Sequence, residues 1–399
     1  GMHSVHLPDG SQHPGLPADA QDFVGLLGRL AVGGARLTAE EAAAAELFDW
    51  SAPLVASRAP GRLDVMGGIA DYSGSLVLQM PIAEACFVAA QRQPSSPSMR
   101  VVSFGGGAAD RQLRFEMPLR ELCPPSGPPT PLAAVREILS RDASSAWAGY
   151  VVGCLSVLYH EGLASPADGG VAVAVRSNVP EGKGVSSSAA LEVSTMVALL
   201  GALGKPPIHP AARLAALCQR VENCVVGAPC GIMDQMASAL GQNKTLLALE
   251  CRPAIVRGWV PVPSGIRLWG IDSGVRHSVG GSNYGTVRAA TFIGRELLRA
   301  RAAEAAGASP TDTSAAQPDA RPYLEHLTEL TPAELAAAGP LPHRLSGADF
   351  LALMPGGHRD DATEVGKETE YAVAACTAHP VEENARVAEF QAVLHAMDA

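Results

Sequence analysis

The stretch NVPEGKGVSSSAALEVSTM covers residues Asn178–Met196 and combines a glycine-rich turn, three serines and the start of an apolar helix. Glycines at 182 and 184 let the backbone approach a bulky anion closely, and a helix N-terminus offers unpaired N–H groups. The pattern fits a cradle for a triphosphate, although it matches neither the Walker A loop nor the Rossmann fingerprint. A serine-capped helix after an ordinary glycine turn also explains these letters.

A second stretch, VENCVVGAPCGIMDQMAS, places two acids in unusual settings over Val221–Ser238. Asp234 lies among cysteine, isoleucine and methionine, where a carboxylate is costly unless it is paired or functional. Capping of a helix is the simpler interpretation of Asp234. Glu222 lies near the end of the preceding helix and is either a surface acid or a carboxylate for Mg²⁺ beside phosphates.

A third stretch, GGIADYSG at Gly67–Gly74, separates APGRLDVM from the apolar run SLVLQMPI. It holds one acid, Asp71, one aromatic hydroxyl and three glycines, with Ile69 and Ala70 just before the acid. It is either a tight turn between two strands or one wall of a binding site. We call residues 67–74 the opening loop.

Composition excludes several classes of protein. The chain has 399 residues, 47% hydrophobic and 18% charged, which is typical of a globular protein with one large or two medium domains. Its net charge is −10 without a Lys/Arg stripe, so a nucleic-acid partner is not expected. Eight scattered cysteines without a C-x-x-C pair favour reduced thiols and a cytoplasmic location. No apolar run approaches the ~20 residues of a membrane span, and no obligate protein partner is evident.

Mixed strands and helices without strict alternation favour an α+β fold. The start of the chain, where Gly1 precedes Met2 as in a cloning scar, is expected to lack structure. CPPSGPPTP at Cys123–Pro131 is expected to be an irregular loop, and residues 305–322 to form a low-complexity insert. Helices are predicted at Ser145–Glu161, Ser187–Leu203, from Pro210, and at Thr286–Ala305. Strands are predicted at Leu54–Arg58, Ser75–Val88, Ser98–Phe104, Arg111–Met117, Gly170–Ser177 and Ile266–Asp272.

Taken together, these motifs resemble those of the GHMP kinase superfamily. APGRLDVMGGIADYSG resembles the galactokinase sugar signature, usually close to PGRVNLIGEHTDYNG, and NVPEGKGVSSSAALEV resembles the superfamily's phosphate loop. CGIMDQ, GVRHSVGGSNYGTVR and the WAGY at 147–150 resemble further galactokinase segments. The kinase portion of plant-type L-arabinokinases is more similar still, because it shares GGIADYSGSLVLQMPI and VPEGKGVSSSAA almost letter for letter.

The resemblance implies a two-lobed GHMP kinase fold. A ribosomal-protein-S5-like N-terminal lobe is expected over residues 23–240 and an α+β C-terminal lobe over 241–399, after a disordered or tag-like segment at 1–22. The family's third glycine-rich motif, of the type K-x-T-G-G-G-x-G-G, is not found. The C-terminal lobe is therefore expected to be incomplete, ending about 100 residues early.

The resemblance also implies site residues. Asp234 is the expected base or orienting group for an anomeric hydroxyl, with Arg62 as the cation beside it and beside the transferring phosphoryl. Mg²⁺ is expected on Ser188 and Glu222. The expected sugar-binding residues are Asp71, Tyr284, Gly68, Ile69 and Gly231. The expected ATP-binding residues are Gly182, Lys183, Gly184, Val185, Ser186, Ser187, Ser188, Ala189, Trp147 and Tyr150.

The opening loop departs from the galactokinase signature in a way that bears on the substrate. The family's Glu-His-Thr-Asp becomes Gly68-Ile69-Ala70-Asp71, so the Glu and His that hold the 6-hydroxyl of galactose in that family are missing. A buried hydroxyl without a partner costs about 1–3 kcal/mol, or ten- to hundredfold in preference. We therefore expect a small-molecule sugar substrate, with L-arabinose preferred over D-galactose. The alternatives are a galactokinase with an altered 6-position pocket and a non-catalytic sensor that binds sugar and ATP.

Overall fold

The computed structural model describes residues 15–33, 37–105, 112–275, 282–305 and 324–398. The strands are β1 Val55–Met66, β2 Leu76–Gln93, β3 Ser98–Ser103, β4 Arg114–Pro118, β5 Gly170–Ser177, β6 Thr245–Glu250, β7 Ile255–Pro261, β8 Leu345–Ser346 and β9 Glu370–Tyr371. The helices are α1 Ala18–Val32, α2 Ala39–Ala45, α3 Leu119–Leu122, α4 Leu132–Leu139, α5 Ala148–His160, α6 Ser187–Ala202, α7 Ala211–Arg220, α8 Met233–Leu240, α9 Ser282–Ala305, α10 Pro332–Ala337, α11 Gly347–Leu353 and α12 Val373–Asp398.

The chain divides into two compact units, and neither is a continuous segment. Unit 1 comprises residues 1–61 and 82–227, and unit 2 comprises residues 62–81 and 228–399. Strands β1 and β2 pair with each other, and each contributes residues to both units. The expected lobes 23–240 and 241–399 divide the chain differently, and that division stays a prediction.

Unit 1 is built on an open sheet in the order β4-β3-β5-β2. β5 pairs antiparallel with β2, from Cys86 opposite Ser177 to Gln93 opposite Gly170, and parallel with β3. One core cluster joins α1 and α2 to the sheet through Phe23, Leu30 and Phe87. Helices α5 and α6 pack against each other and are buried over most of their length, which explains why their sequences are apolar all round.

Unit 2 is built on the first residues of β2, which pair antiparallel with β6, and on β7, which pairs with the other edge of β6. One core cluster packs Leu78, Leu246 and Val260 against Val387 and Leu394 of α12. The two long helices α9 and α12 pack against each other. Helix α12 is thus anchored on both the sheet and α9, so its side chains have fixed positions beside the start of β2.

Several expectations about local structure are confirmed. β5 has the predicted bounds, α6 ends one residue before its predicted end, and residues 124–131 form an irregular loop. The insert expected at 305–322 lies outside the described residues, apart from Ala305 at the end of α9. No helix in the described part of the chain is long and apolar enough to cross a membrane.

Three expectations are wrong. Residues 266–272 form no strand, because within the described ranges they pair with no neighbour and leave Trp269 79% and Ile271 92% exposed. β1 continues past Arg58 to Met66, so Arg62 lies on a strand rather than in a loop. Helix α1 begins at Ala18, inside the segment 1–22 expected to lack structure, because its buried face carries Phe23 and Leu26.

Candidate active site

The Arg62–Asp234 pair is the centre of the candidate site in unit 2. Arg62 lies on β1 and is 5% exposed, and Asp234 lies in the first turn of α8. The Arg62 guanidinium donates to Asp234 Oδ1 from Nε at 3.1 Å and from a terminal nitrogen at 2.5 Å. Burial works to lower the pKa of Arg62, but the carboxylates of Asp234, Asp64 and Asp71 raise it. Arg62 is therefore charged at any physiological pH.

Asp71 is a buried carboxylate in the opening loop. It is 3% exposed, and its Oδ1 accepts no hydrogen bond among the described residues. Burial, and then the nearby charge of Asp234, raise the pKa of Asp71 to about 6, against the opposing effects of Arg288 and of the backbone N–H groups of Tyr72 and Met233. A buried polar atom without a partner in the protein is suited to a ligand.

Gly231 leaves room for Asp71. A Cβ on Gly231 would lie 1.7 Å from Asp71 Oδ2, far inside van der Waals contact. The backbone at residue 231 therefore lies directly against the carboxylate, and no larger residue fits there without moving it. This explains the glycine that precedes Ile232 in CGIMDQ.

The backbone of the opening loop is held by side chains from the end of the chain. Glu383 Oε1 accepts from Gly67 N at 2.9 Å, and His379 Nε2 donates to Gly68 O at 2.7 Å. Just after the loop, Leu76 N donates to Asn384 Oδ1 at 2.8 Å. His379, Glu383 and Asn384 all lie on α12, and we call them the α12 clamp. Sequence reasoning missed it, because no local pattern links positions 300 residues apart.

Ile69 adopts an uncommon backbone conformation, with φ at 58°. A β-branched residue in the left-handed region is strained, so the surrounding bonds must fix it there. The α12 clamp bonds the two residues just before it, and Thr328 donates to Ser73 O at 2.9 Å further along. The Ile69 side chain is 44% exposed, so it presents an apolar surface rather than filling a core.

Two tyrosines flank Asp71. The ring of Tyr72 meets that of Tyr284 edge-on, with centroids 6.2 Å apart, and burial, reinforced by the charge of Asp71, raises the pKa of Tyr284. Arg288 lies over the Tyr72 ring at 5.2 Å and donates to the carbonyls of Pro229 and Cys230. Sequence reasoning assigned no role to Arg288, although its motif was recognised.

Arg288 also forms a buried ion pair with Asp360, at 2.9 and 2.7 Å. The pair lowers the pKa of Asp360, whose own burial works in the opposite direction. Arg288 is thereby fixed between Asp360, the Tyr72 ring and the backbone just before Gly231. Arg288 therefore positions both the opening loop, through Tyr72, and the backbone just before Gly231, although it lies in neither segment.

The phosphate loop of unit 1, residues 182–189, is an open glycine turn that leads into α6. Gly182 and Gly184 both have φ at 69°, a region that favours glycine, and a Cβ on Gly184 would meet nothing within 4 Å. Ser186 is the N-cap of α6 in the left-handed region, and its buried Oγ has no partner in the described part of the chain. An orphaned hydroxyl at the start of a 16-residue helix fits an anion.

The remaining predicted residues of unit 1 lie on elements that pack together. Trp147 is the N-cap of α5, Tyr150 lies in its first turn, and both are half-buried, whereas Lys183 is exposed. Glu222 is 2% exposed on a π-helix, Val221–Val226, which packs on α5. Ser188 lies in the first turn of α6.

The donor set of Ser188 and Glu222 fits Mg²⁺, because hydroxyl and carboxylate oxygens are the ligands that hard cations take. No group of three or more His, Cys, Asp or Glu residues within the described ranges could hold a metal ion by itself. A site with two protein ligands suits Mg²⁺ that completes its shell with water and phosphate oxygens.

Parts of the sequence are similar to known proteins. Residues 149–242 match the model of the GHMP kinases N terminal domain, and residues 45–92 match the Galactokinase galactose-binding signature. The L-arabinokinase of Arabidopsis thaliana is 41% identical over 388 residues, which cover 89% of this chain and 37% of that protein. The galactokinase of Chloroflexus aggregans is 32% identical over 262 residues, which cover 64% of this chain and 58% of that protein.

The fold is that of a solved relative. Lactococcus lactis galactokinase, complexed with galactose, superposes with a TM-score of 0.60 at 22% identity, over 90% of this chain and 76% of that one. The chain spans 37% and 58% of the length of the two curated relatives above. The chain therefore contains a GHMP kinases N terminal domain and a galactokinase galactose-binding signature, and it has the fold of a galactokinase.

Proposed function

We propose that the protein is a sugar kinase that transfers the γ-phosphoryl group of ATP to the anomeric hydroxyl of a monosaccharide. The observation that carries this proposal is the buried Arg62–Asp234 pair, in which Nε and one terminal nitrogen of Arg62 both donate to Oδ1 of Asp234. We expect Oδ2 of the same carboxylate to meet a sugar hydroxyl.

The pair suits phosphoryl transfer for two reasons. Asp234, held by the guanidinium of Arg62, is placed to orient the anomeric hydroxyl and to accept its proton. The guanidinium offsets negative charge on the transferring group, which in a loose transition state is spread over its oxygens. The sugar oxygen forms the new bond to phosphorus, the bond to ADP breaks, and the hydroxyl proton passes to Asp234.

The phosphate loop and Glu222 support the part of the proposal that concerns ATP and Mg²⁺. The residues expected to bind ATP include Ser186, the N-cap of α6. Its buried hydroxyl has no partner among the described residues and, together with the helix N-terminus, favours phosphate oxygens. Mg²⁺ on Ser188 and Glu222 would neutralise charge on the phosphates. These roles rest on the resemblance and on the donor types.

We propose L-arabinose as the preferred sugar. β-L-Arabinopyranose is α-D-galactopyranose without its hydroxymethyl group, and the loop that would meet that group offers Gly68 and the exposed apolar side chain of Ile69. The similarity to the L-arabinokinase of Arabidopsis thaliana supports the same choice. A galactokinase with an altered pocket is the second candidate. A cytoplasmic location stays a prediction, supported by the eight free cysteines.

Phosphorus NMR of the reaction with ATP and Mg²⁺ tests the activity. We expect an anomeric phosphate signal with L-arabinose, a weaker one with D-galactose and none with D-galacturonate. Asp234→Ala is expected to reduce turnover by about a thousandfold, a loss typical of a group that acts in the chemical step. Binding of sugar and ATP without product in the unaltered protein would instead identify a sensor.

A further inference from the structure

Asp64 is a carboxylate of β1 that the family signature does not contain. It lies two residues after Arg62, so both side chains leave the same face of the strand. Gln79, on the neighbouring strand β2, donates from Nε2 to Asp64 Oδ1 at 2.7 Å. Asp64 is half-buried, and among the described residues the bond from Gln79 is the one hydrogen bond to its carboxylate. Gln79 therefore fixes Oδ1, and Oδ2 can accept a hydrogen bond from a ligand.

The free oxygen lies against the opening loop. A Cβ on Gly68 would be 3.2 Å from Asp64 Oδ2, and this oxygen is the only atom within 4 Å that such a Cβ would meet among the described residues. The carboxylate thus occupies the space beside residue 68, next to the exposed Ile69.

The electrostatic surroundings tie Asp64 to the candidate site. Arg62 is close enough to Asp234, Asp64 and Asp71 that each raises its pKa. Burial, and then the charges of Asp234 and Glu383, raise the pKa of Asp64, while Arg62 and Gln79 work against them. The same group of charges includes Asp71, whose buried Oδ1 has no hydrogen-bond partner among the described residues. Asp64 Oδ2 and Asp71 Oδ1, both near Arg62, therefore lack hydrogen-bond donors among the described residues. A polyhydroxyl compound offers several donors.

We propose that Asp64 is a further sugar-binding residue, whose Oδ2 accepts a hydrogen bond from a ring hydroxyl of the substrate. The inference rests on the proposed function and deepens it. At the matching positions the galactokinase signature quoted above has Asn for residue 64 and Glu for residue 68. This chain has Asp at residue 64 and Gly at residue 68, so the carboxylate of these two positions lies on β1 rather than in the opening loop. Residues 64 and 68 then determine the sugar specificity as a pair.

Asp64→Asn tests the direct contact. Asn keeps the shape and can still accept from Gln79, but it replaces the charged acceptor with an amide donor. We expect the Kd for L-arabinose, measured by calorimetry with a non-hydrolysable ATP analogue, to rise ten- to hundredfold. We also expect the KM for L-arabinose to rise while the KM for ATP stays within twofold. Asp349→Asn is the matched control, because Asp349 is exposed in the same unit and, within the described part of the chain, its carboxylate accepts from Ser346 alone.

Gly68→Ala is a second test of the contact, and it leaves the charge of Asp64 unchanged. The added methyl group must displace Asp64 Oδ2 by a few tenths of an ångström, so the KM for L-arabinose is expected to rise about fivefold. When Gly68→Ala is added to Asp64→Asn, we expect the KM for L-arabinose to rise less than twofold further, because the charged contact is already lost.

The inference would be overturned if folded Asp64→Asn bound L-arabinose as tightly as the unaltered protein. It would also be overturned if Gly68→Ala raised the KM for L-arabinose by the same factor in the unaltered protein and in Asp64→Asn. Neither outcome affects the proposed function, which fails only if the unaltered protein forms no sugar phosphate. Equal losses for sugar and ATP together with a lower Tm would assign Asp64 a structural role and also contradict the inference.

Discussion

The phosphate loop and the opening loop are both glycine-rich, but they are held in place in opposite ways. Residues 182–189 depend on local geometry: two glycines at positive φ, a serine N-cap and the helix that follows directly. Residues 67–74 depend on distant residues, namely the α12 clamp, Thr328 and the backbone at Gly231. The glycines and the following helix contribute to the conformation of the first loop, whereas bonds from elements distant in sequence contribute to that of the second.

This difference has a physical origin. A phosphate group is bound through backbone N–H groups and a helix end, which a continuous segment supplies by itself. A sugar is distinguished by the placement of a few hydroxyl partners, so its loop needs support from several elements. We therefore expect changes far from the opening loop in sequence to alter sugar binding, and changes in the phosphate loop to act only locally.

A pair of glycine substitutions should show the largest contrast. Gly231→Ala places a methyl group 1.7 Å from Asp71 Oδ2, so Asp71 must move, and we expect kcat/KM for the sugar to fall at least a hundredfold. Gly184→Ala meets open space, and its cost is the strain of a positive φ, about 1 kcal/mol. Steady-state kinetics for sugar and for ATP, with Tm for each variant, measure both.

The comparison predicts that the two variants differ in which substrate they affect. Gly231→Ala should raise the KM for the sugar, and Gly184→Ala should affect only ATP, by a few fold. A Gly231→Ala protein with normal sugar kinetics would show that Asp71 is not held against residue 231.

The α12 clamp should give an intermediate effect. Glu383→Ala removes the acceptor for Gly67 N, and a buried N–H without a partner costs about 1–3 kcal/mol. We expect the KM for L-arabinose to rise about tenfold, with kcat and the KM for ATP nearly unchanged. Glu383→Gln keeps an acceptor oxygen and should recover most of the loss. Failure of Gln to recover it would assign the effect to the charge of Glu383 rather than to the loop bond.

The pH dependence of stability tests Asp71 without any substrate. Its pKa is raised to about 6 in the folded protein, so the folded state binds the proton more tightly than the unfolded state does. The free energy of unfolding should therefore gain roughly 3 kcal/mol from this group as pH falls from above 6 to below 4. Denaturant unfolding at several pH values measures this gain, which Asp71→Asn should abolish.

Sugar binding should depend on pH in the opposite direction. An ionised Asp71 accepts hydroxyl hydrogen bonds on both oxygens, so kcat/KM should rise with pH up to about 6 and then level off. A profile that falls over this range would show that protonated Asp71 is the binding form.

Local patterns predicted part of the fold. Apolar periodicity located α5, α6 and β5 within a few residues, because each is buried on the faces that its sequence makes apolar. The same reasoning failed at residues 266–272, where a strand-like alternation has no partner strand in the described part of the chain. Alternation reports a preference for extended structure, while a strand also requires a neighbour.

The candidate site was predictable to the extent that its motifs are continuous. Arg62, Asp71, Gly231 and Asp234 were all identified from short stretches, and the structure brings them together in unit 2. The α12 clamp was not predictable, because its residues lie in a helix without a distinguishing motif. Gln79 did leave a signal: it is a polar residue inside the apolar run SLVLQMPI, and it is fully buried.

The ratio of kcat/KM for L-arabinose to that for D-galactose tests the account most directly. We predict a ratio of ten to a hundred for the unaltered protein, because the loop lacks partners for a 6-hydroxyl. The double change Gly68→Glu, Ile69→His should lower that ratio, and adding Asp64→Asn should lower it further. A ratio at or below one in the unaltered protein, or no change in either variant, would contradict the assignment of the opening loop as the determinant of sugar specificity.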